Sequence, residues 1–173
     1  MSRPKNEPRS RSAGSRPRTP GGIALAFERD PDAAEVRAIF QHAPWARSRT
    51  TRGIARMLRT SLCLVTARRS GRLVGFGRAW GDGHYRAVID DLVVLPAERG
   101  KKLGTRIVRK LLTRLQGIEE VSLTTSLATA PFYESLGFTL YRGAHLKRLA
   151  RRQAGITASP PARNRKSNTS TRT

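Results

Sequence analysis

Between Asp91 and Leu111 the sequence reads DLVVLPAERGKKLGTRIVRKL. The residues with chemical potential are Arg99, Gly100, Lys101, Lys102 and Gly104. An apolar run ends at Pro96, crosses a basic glycine turn and enters helical spacing at once. The first N–H groups of a helix have no intrahelical partner, and the helix dipole places partial positive charge there. A phosphate at that end accepts several backbone bonds. Gly100 and Gly104 allow close approach and positive φ, and Arg99, Lys101 and Lys102 add charge-assisted contacts. A glycine turn before a helix also occurs without any ligand, so from the turn alone both readings stand. The Lys-Ser/Thr ending of a P-loop is missing. So is the GxGxxG spacing of a dinucleotide fold with an acid at the right offset.

The elements that must position this turn follow from the pattern. Gly22–Phe27 reads as a short strand. Asp30-Pro31 reads as a helix start with Val36, Ile39 and Phe40 on its apolar face, ending at Pro44. Ser48 or Thr50 caps a second helix carrying Ile54, Met57 and Leu58. Leu62–Ala67 and Arg72–Trp80 form a hairpin, and Tyr85–Leu95 a third strand after the turn GDGH. Leu103, Ile107, Leu111 and Leu115 recur every four residues, which predicts an amphipathic helix from near Lys102. Glu120–Thr125 reads as a strand, Ala130–Leu136 as a short helix and Phe138–Arg142 as a last strand. His42 and His84 have no metal-spaced partner.

The chain has 173 residues, enough for one domain with a real core. Its 38% hydrophobic content falls below the usual level, and the ends account for the deficit. Residues 1–20 carry +5 and residues 144–173 carry +8 of the net +22, which leaves +9 for residues 21–143. Both ends are rich in Ser, Pro, Arg and Thr and read as disordered basic tails. The N-terminal one is also similar to an organellar transit peptide, though short and without an amphipathic apolar face. The expectation is a cytoplasmic protein, with organellar import as the alternative. No run approaches the ~18 apolar residues of a membrane span. The lone Cys63, in SLCLVTA, excludes an internal disulfide and a cysteine-cluster metal site, and reads as a small core hydrophobe. The charge favours nonspecific contact with nucleic acid through the tails. Zinc-finger spacing, an aromatic RNA-binding motif and a clear helix-turn-helix are all lacking.

The basic turn is similar to the acyl-CoA-binding motif of the GCN5-related N-acetyltransferases (GNAT), (Arg/Gln)-x-x-Gly-x-(Gly/Ala). Arg99 fills the first position and Gly104 the last, while Lys102 stands where the motif has glycine. If that backbone is left-handed, lysine costs roughly 1 kcal/mol; if helical, little. RLVGFGRAW, DDLVVLPAERGKKLG and PFYESLGF follow in the family's order, so the resemblance covers most of residues 22–142. It implies an α/β (α+β) fold: a mixed, mostly antiparallel sheet of about six strands with helices on both faces, in the order β-α-α-β-β-β-α-β-α-β. It also implies acetyl-CoA as co-substrate, no metal, and direct attack by a primary amine in a ternary complex.

The resemblance assigns roles as well. The cofactor set is Leu92, Val93 and Val94, through main-chain groups, with Arg99, Gly100, Lys101, Lys102, Leu103, Gly104 and Thr105. Ser126 stands where the family has a pantetheine-binding asparagine, and Phe132 packs beside the cofactor. Tyr133 matches the tyrosine that protonates the departing thiolate; the alternative is a core aromatic. Asp90 and Asp91 are the carboxylates available as base, with Asp91 slightly preferred. Successive strand residues face opposite ways, so only one reaches a given cleft; either one also suits pairing with an arginine. Trp45, Arg47 and Arg49 fall in the region that lines the acceptor site, or serve to pack the loop.

The reading is an N-acetyltransferase acting on a small amine, monomeric or homodimeric and not bound to membranes. The alternatives are a nucleic-acid- or ribosome-binding module on this fold, and an acyl-CoA-binding protein without turnover.

Overall fold

The computed structural model describes residues 22–141. Strands β1 (Ile23–Phe27), β2 (Cys63–Arg69), β3 (Arg72–Gly81), β4 (Arg86–Val94) and β5 (Glu120–Ser122) form one sheet in that spatial order. The first four pair antiparallel, and β5 joins β4 in parallel. The helices are α1 (Ala33–Phe40), α2 (Thr51–Arg59), α3 (Leu103–Arg114) and α4 (Ala130–Glu134).

The strand period of two splits the apolar residues between two cores. On one face Cys63, Val65, Ala67, Val74, Ala79 and Ile89 meet Leu103, Ile107, Val108 and Leu111 of α3. On the other, Leu64, Leu73, Phe76 and Val93 meet Val36, Ile39 and Phe40 of α1 and Ile54 and Leu58 of α2. Helices therefore cover both faces, as expected. Burial pushes the Cys63 thiol above its ordinary range, in keeping with a core residue.

Local chemistry sets the boundaries. Thr50 caps α2 by accepting from the Gly53 N–H at 3.1 Å. Ser70 and Gly71, with φ of 50° and 83°, make the two-residue turn between β2 and β3, in the doubly positive form that suits a twisted hairpin. The cap of α1 is Asp32, accepting from the Ala34 N–H at 2.7 Å, and not Asp30; Pro31 is buried before it.

The sheet has five strands where six were expected. Beyond β5 the chain is extended only to Ser122, and Phe138–Leu140 form no strand. Gly137, at φ 92°, reverses the chain after α4. The Phe138 N–H then bonds the Tyr133 carbonyl, and its ring packs on Tyr133. Arg142 and both basic ends lie outside the described residues. Among the described residues no helix is long and apolar enough to cross a membrane.

Two glycines let α3 lie close on β3. A Cβ at Gly75 would stand 2.9 Å from Ile107 Cδ1, and one at Gly77 would stand 2.8 Å from Ile107 Cγ2. Gly77→Val is expected to destabilise the fold by about 1–3 kcal/mol through overpacking, read as a lower urea midpoint.

Candidate active site

The sheet opens between its last two strands. β5 pairs with β4 only at Arg86, Ala87 and Val88. From Ile89 to Val94, β4 continues with β3 on one side and, among the described residues, no strand on the other. Leu92, Val93 and Val94 thus border an open edge whose main-chain groups suit an extended, amide-bearing chain added as a strand.

A bulge re-aims β4 at the mouth of this fork. The register slips by one residue between Phe76 and Arg78, and Asp91 takes φ 55°. Aspartate tolerates that region better than most residues. Strict alternation is broken, so both carboxylates reach one guanidinium: Arg78 donates to Asp91 Oδ2 at 2.6 Å and to Asp90 Oδ2 at 3.0 Å. Arg49 donates to Asp91 Oδ1 at 2.7 Å. The expected opposition of the two aspartates therefore does not hold. Nor does the preference for Asp91. Its side chain has 0% exposure with both oxygens engaged, whereas that of Asp90 is 42% exposed. The geometry favours Asp90 as the carboxylate able to meet a ligand.

Tyr133 sits across from Asp90. Its ring packs edge-on against Phe132 and Phe138. Burial, and secondarily the negative charge of Asp90, push its phenol above the ordinary tyrosine range. The hydroxyl therefore keeps its proton throughout neutral pH. Among the described residues this hydroxyl has no hydrogen-bond partner. Phe132 packs on the first turn of α3, with its ring 3.5 Å from where a Cβ on Gly104 would lie.

At the far end of β4 the basic turn is left-handed at Gly100 (φ 75°) and at Lys102 (φ 57°). The costlier of the two backbones considered for Lys102 is the one present. The helical ladder of α3 begins with Arg106 N–H to the Lys102 carbonyl at 3.1 Å, so the N–H groups of Leu103, Gly104 and Thr105 face outward unpaired. Two of the three expected cations are engaged elsewhere. Arg99 donates to the Val94 carbonyl at 3.2 Å, and Lys101 to the Ala97 carbonyl at 2.7 Å. Lys101 also pairs with Glu98, which Arg69 grips through two bonds of 2.9 Å. Arg69 and then Lys101 hold the Glu98 carboxyl below its usual range. Sequence reasoning missed this clamp, whose members lie 29 residues apart. Ser126 is exposed before α4, with its hydroxyl 2.9 Å from that of Thr129.

The sequence matches the acetyltransferase (GNAT) family over residues 27–138. The chain belongs to the GNAT family. An uncharacterized ycf52-like N-acetyltransferase of Prochlorococcus marinus is 33% identical over 63% of this chain and 63% of its own. Serotonin N-acetyltransferase 2, chloroplastic, of Oryza sativa is 37% identical over 41% of this chain and 36% of its own. In both cases the match spans less than two thirds of the relative's length. A GNAT-family acetyltransferase structure from Streptococcus pneumoniae superposes with a TM-score of 0.67 at 24% identity, covering 75% of this chain and 99% of that one; it shows the shared fold. Members of the GNAT family use acetyl-CoA, and the open β4 edge and the bare N–H groups of α3 fit its pantetheine amides and pyrophosphate. Among the described residues no group of three or more His, Cys, Asp or Glu gathers as a metal site.

On the opposite side of β4 this GNAT domain carries a cleft of about 460 Å³ between α2 and β3, lined by Gly53, Arg56, Met57, Thr60, Arg78, Trp80 and Gly81. An adjoining hollow of about 260 Å³ reaches Arg49 and Thr50. Of the three acceptor residues expected from the loop, only Arg49 lines this space, and it is committed to Asp91. Its guanidinium also lies 5.2 Å from the Phe40 ring centre and 5.3 Å from that of Trp45. Arg47 donates to the Gln41 carbonyl at 3.0 Å, closing the end of α1, and Trp45 packs on Phe40. Arg56, Met57, Arg78 and Trp80 were not singled out by the sequence; Arg78 and Trp80 sit in RLVGFGRAW at the alternate spacing that puts both on one sheet face.

Arg78→Met is expected to cost about 1–3 kcal/mol, because it leaves Asp91 Oδ2 buried without its partner while Arg49 still holds Oδ1. Arg86→Met, which breaks an exposed pair with Glu120, is expected to cost under about 1 kcal/mol; chemical denaturation compares them. Lys102→Gly relieves a left-handed lysine and is expected to raise stability by about 1 kcal/mol, while weakening acetyl-CoA binding in calorimetry through the lost charge.

Proposed function

We propose that the protein is an acetyl-CoA-dependent N-acetyltransferase acting on a small primary amine by direct attack in a ternary complex. The observation that carries this reading is the fork after Val88. Asp90, an accessible carboxylate on the strand with the open edge, and Tyr133, a phenol that keeps its proton and feels the charge of Asp90, support it.

Each residue then has a task. The N–H groups of Leu103, Gly104 and Thr105, with Lys102, hold the pyrophosphate. The open edge at Leu92–Val94 aligns the pantetheine arm, and its N–H groups stabilise the oxyanion that develops on the thioester carbonyl. Asp90 accepts a proton from the incoming ammonium, directly or through one water, so that a neutral amine attacks. Arg78 fixes the orientation of that carboxylate. Tyr133 gives its proton to the departing thiolate, and the proton that the nitrogen sheds as the intermediate collapses passes through water to restore the phenol, while Asp90 returns its own to solvent. Phe132 walls the thioester, and Ser126 adds a polar contact at the pantetheine end. The chloroplastic name of the rice relative supports carrying organellar import forward beside the cytoplasmic expectation.

Tyr133→Phe is expected to lower kcat by about a hundredfold or more while leaving the acetyl-CoA dissociation constant within twofold. Free-thiol release over a panel of amines and calorimetry with acetyl-CoA supply the two readouts. Unchanged turnover would remove Tyr133 as the acid. Absence of acetyl-CoA binding would end the transferase reading, and binding without turnover of any amine would leave an acyl-CoA-binding protein.

A further inference from the structure

The cleft between α2 and β3 has a chemistry of its own. Gly53, Arg56, Met57 and Thr60 recur at i, i+3, i+4 and i+7, so they form one helical face. Arg78 and Trp80 are two residues apart on β3 and share a sheet face. No carboxylate lines the cleft. Arg78 is occupied by Asp90 and Asp91, but the Arg56 guanidinium has no partner among the described residues. Trp80 leaves 42% of its surface in water. An unpaired guanidinium and a half-exposed indole that line the same open cleft suit a flat body ending in an anion.

Arg78, which pairs with Asp90, lines the cleft from β3, and Arg56 lines it from α2. An amine drawn to Asp90 and an anion drawn to Arg56 therefore belong to different ends of one acceptor.

Resting on the transferase reading above, we infer that the acceptor is a primary amine with an anionic group, carboxylate or phosphate, at the far end of a short flat body. The anion pairs with Arg56, and the body lies on Trp80 and Met57. Long-range attraction from the net positive charge favours the same class.

The test compares 2-phenylethylamine with 4-(2-aminoethyl)benzoate and with tyramine O-phosphate, using the full chain, saturating acetyl-CoA and thiol release. One or both anionic amines are expected to exceed the neutral one in kcat/KM by about tenfold, the scale of one charge-assisted bond; which one does so tells carboxylate from phosphate. Arg56→Gln is expected to collapse that ratio towards one, and Arg56→Lys to keep part of it. Calorimetric binding of each anionic amine to the protein loaded with coenzyme A provides a readout independent of turnover. Equal use of all three amines overturns the inference, as does a preference that survives Arg56→Gln. Arg56-dependent binding without turnover of any amine sustains the anion site and sinks the transferase reading instead.

Discussion

The buried carboxylate of Asp91 is the constraint around which the site is built. A charge with no exposed surface must be matched within the fold, and here two guanidiniums from distant segments supply the match. Arg49 anchors the loop between α1 and α2; Arg78 anchors the middle of β3. Through Asp91 both are tied to the bulge in β4. The loop between α1 and α2 and the strand with the open edge are therefore located by one ion cluster. Stacking of Arg49 against Phe40 and Trp45 extends it into the apolar layer.

The bulge has a second effect. An extra residue increases local twist and bends its strand. It falls just past the point where β5 stops pairing with β4. The open edge, the accessible Asp90 and the buried Asp91 thus share one origin. Close seating of α3 over Gly75 and Gly77 delivers the start of that helix to the end of the same strand.

Much of this was legible in the sequence because it rests on local patterns. Leu103, Ile107 and Leu111 announced α3, and Arg72–Trp80 announced a strand of the hairpin. The basic glycine turn announced a helix start fit for phosphate. What escaped depends on backbone departures and long-range pairing. Alternation along Asp90-Asp91 predicted opposite faces, and a single positive φ cancelled it. Arg99 and Lys101 had the right type and position for phosphate, yet their bonds go to carbonyls and to Glu98. Nothing near Glu98 in the sequence points to Arg69. The last strand failed because Gly137 turned Phe138 back onto Tyr133. Arg56 carries no local signal, because only the fold brings α2 and β3 together around one cleft.

Arg78 joins two duties. It pairs with the exposed carboxylate of Asp90, and it lines the cleft proposed for the acceptor. If the proposed roles hold, adaptation to a new amine is coupled to competence for chemistry at this position: a mutation that reshapes the wall also releases Asp90 and removes one partner of Asp91. On that proposal, drift in acceptor preference is channelled to Arg56 and Trp80, which make no bond to the ion cluster, whereas Met57 touches it through Arg49.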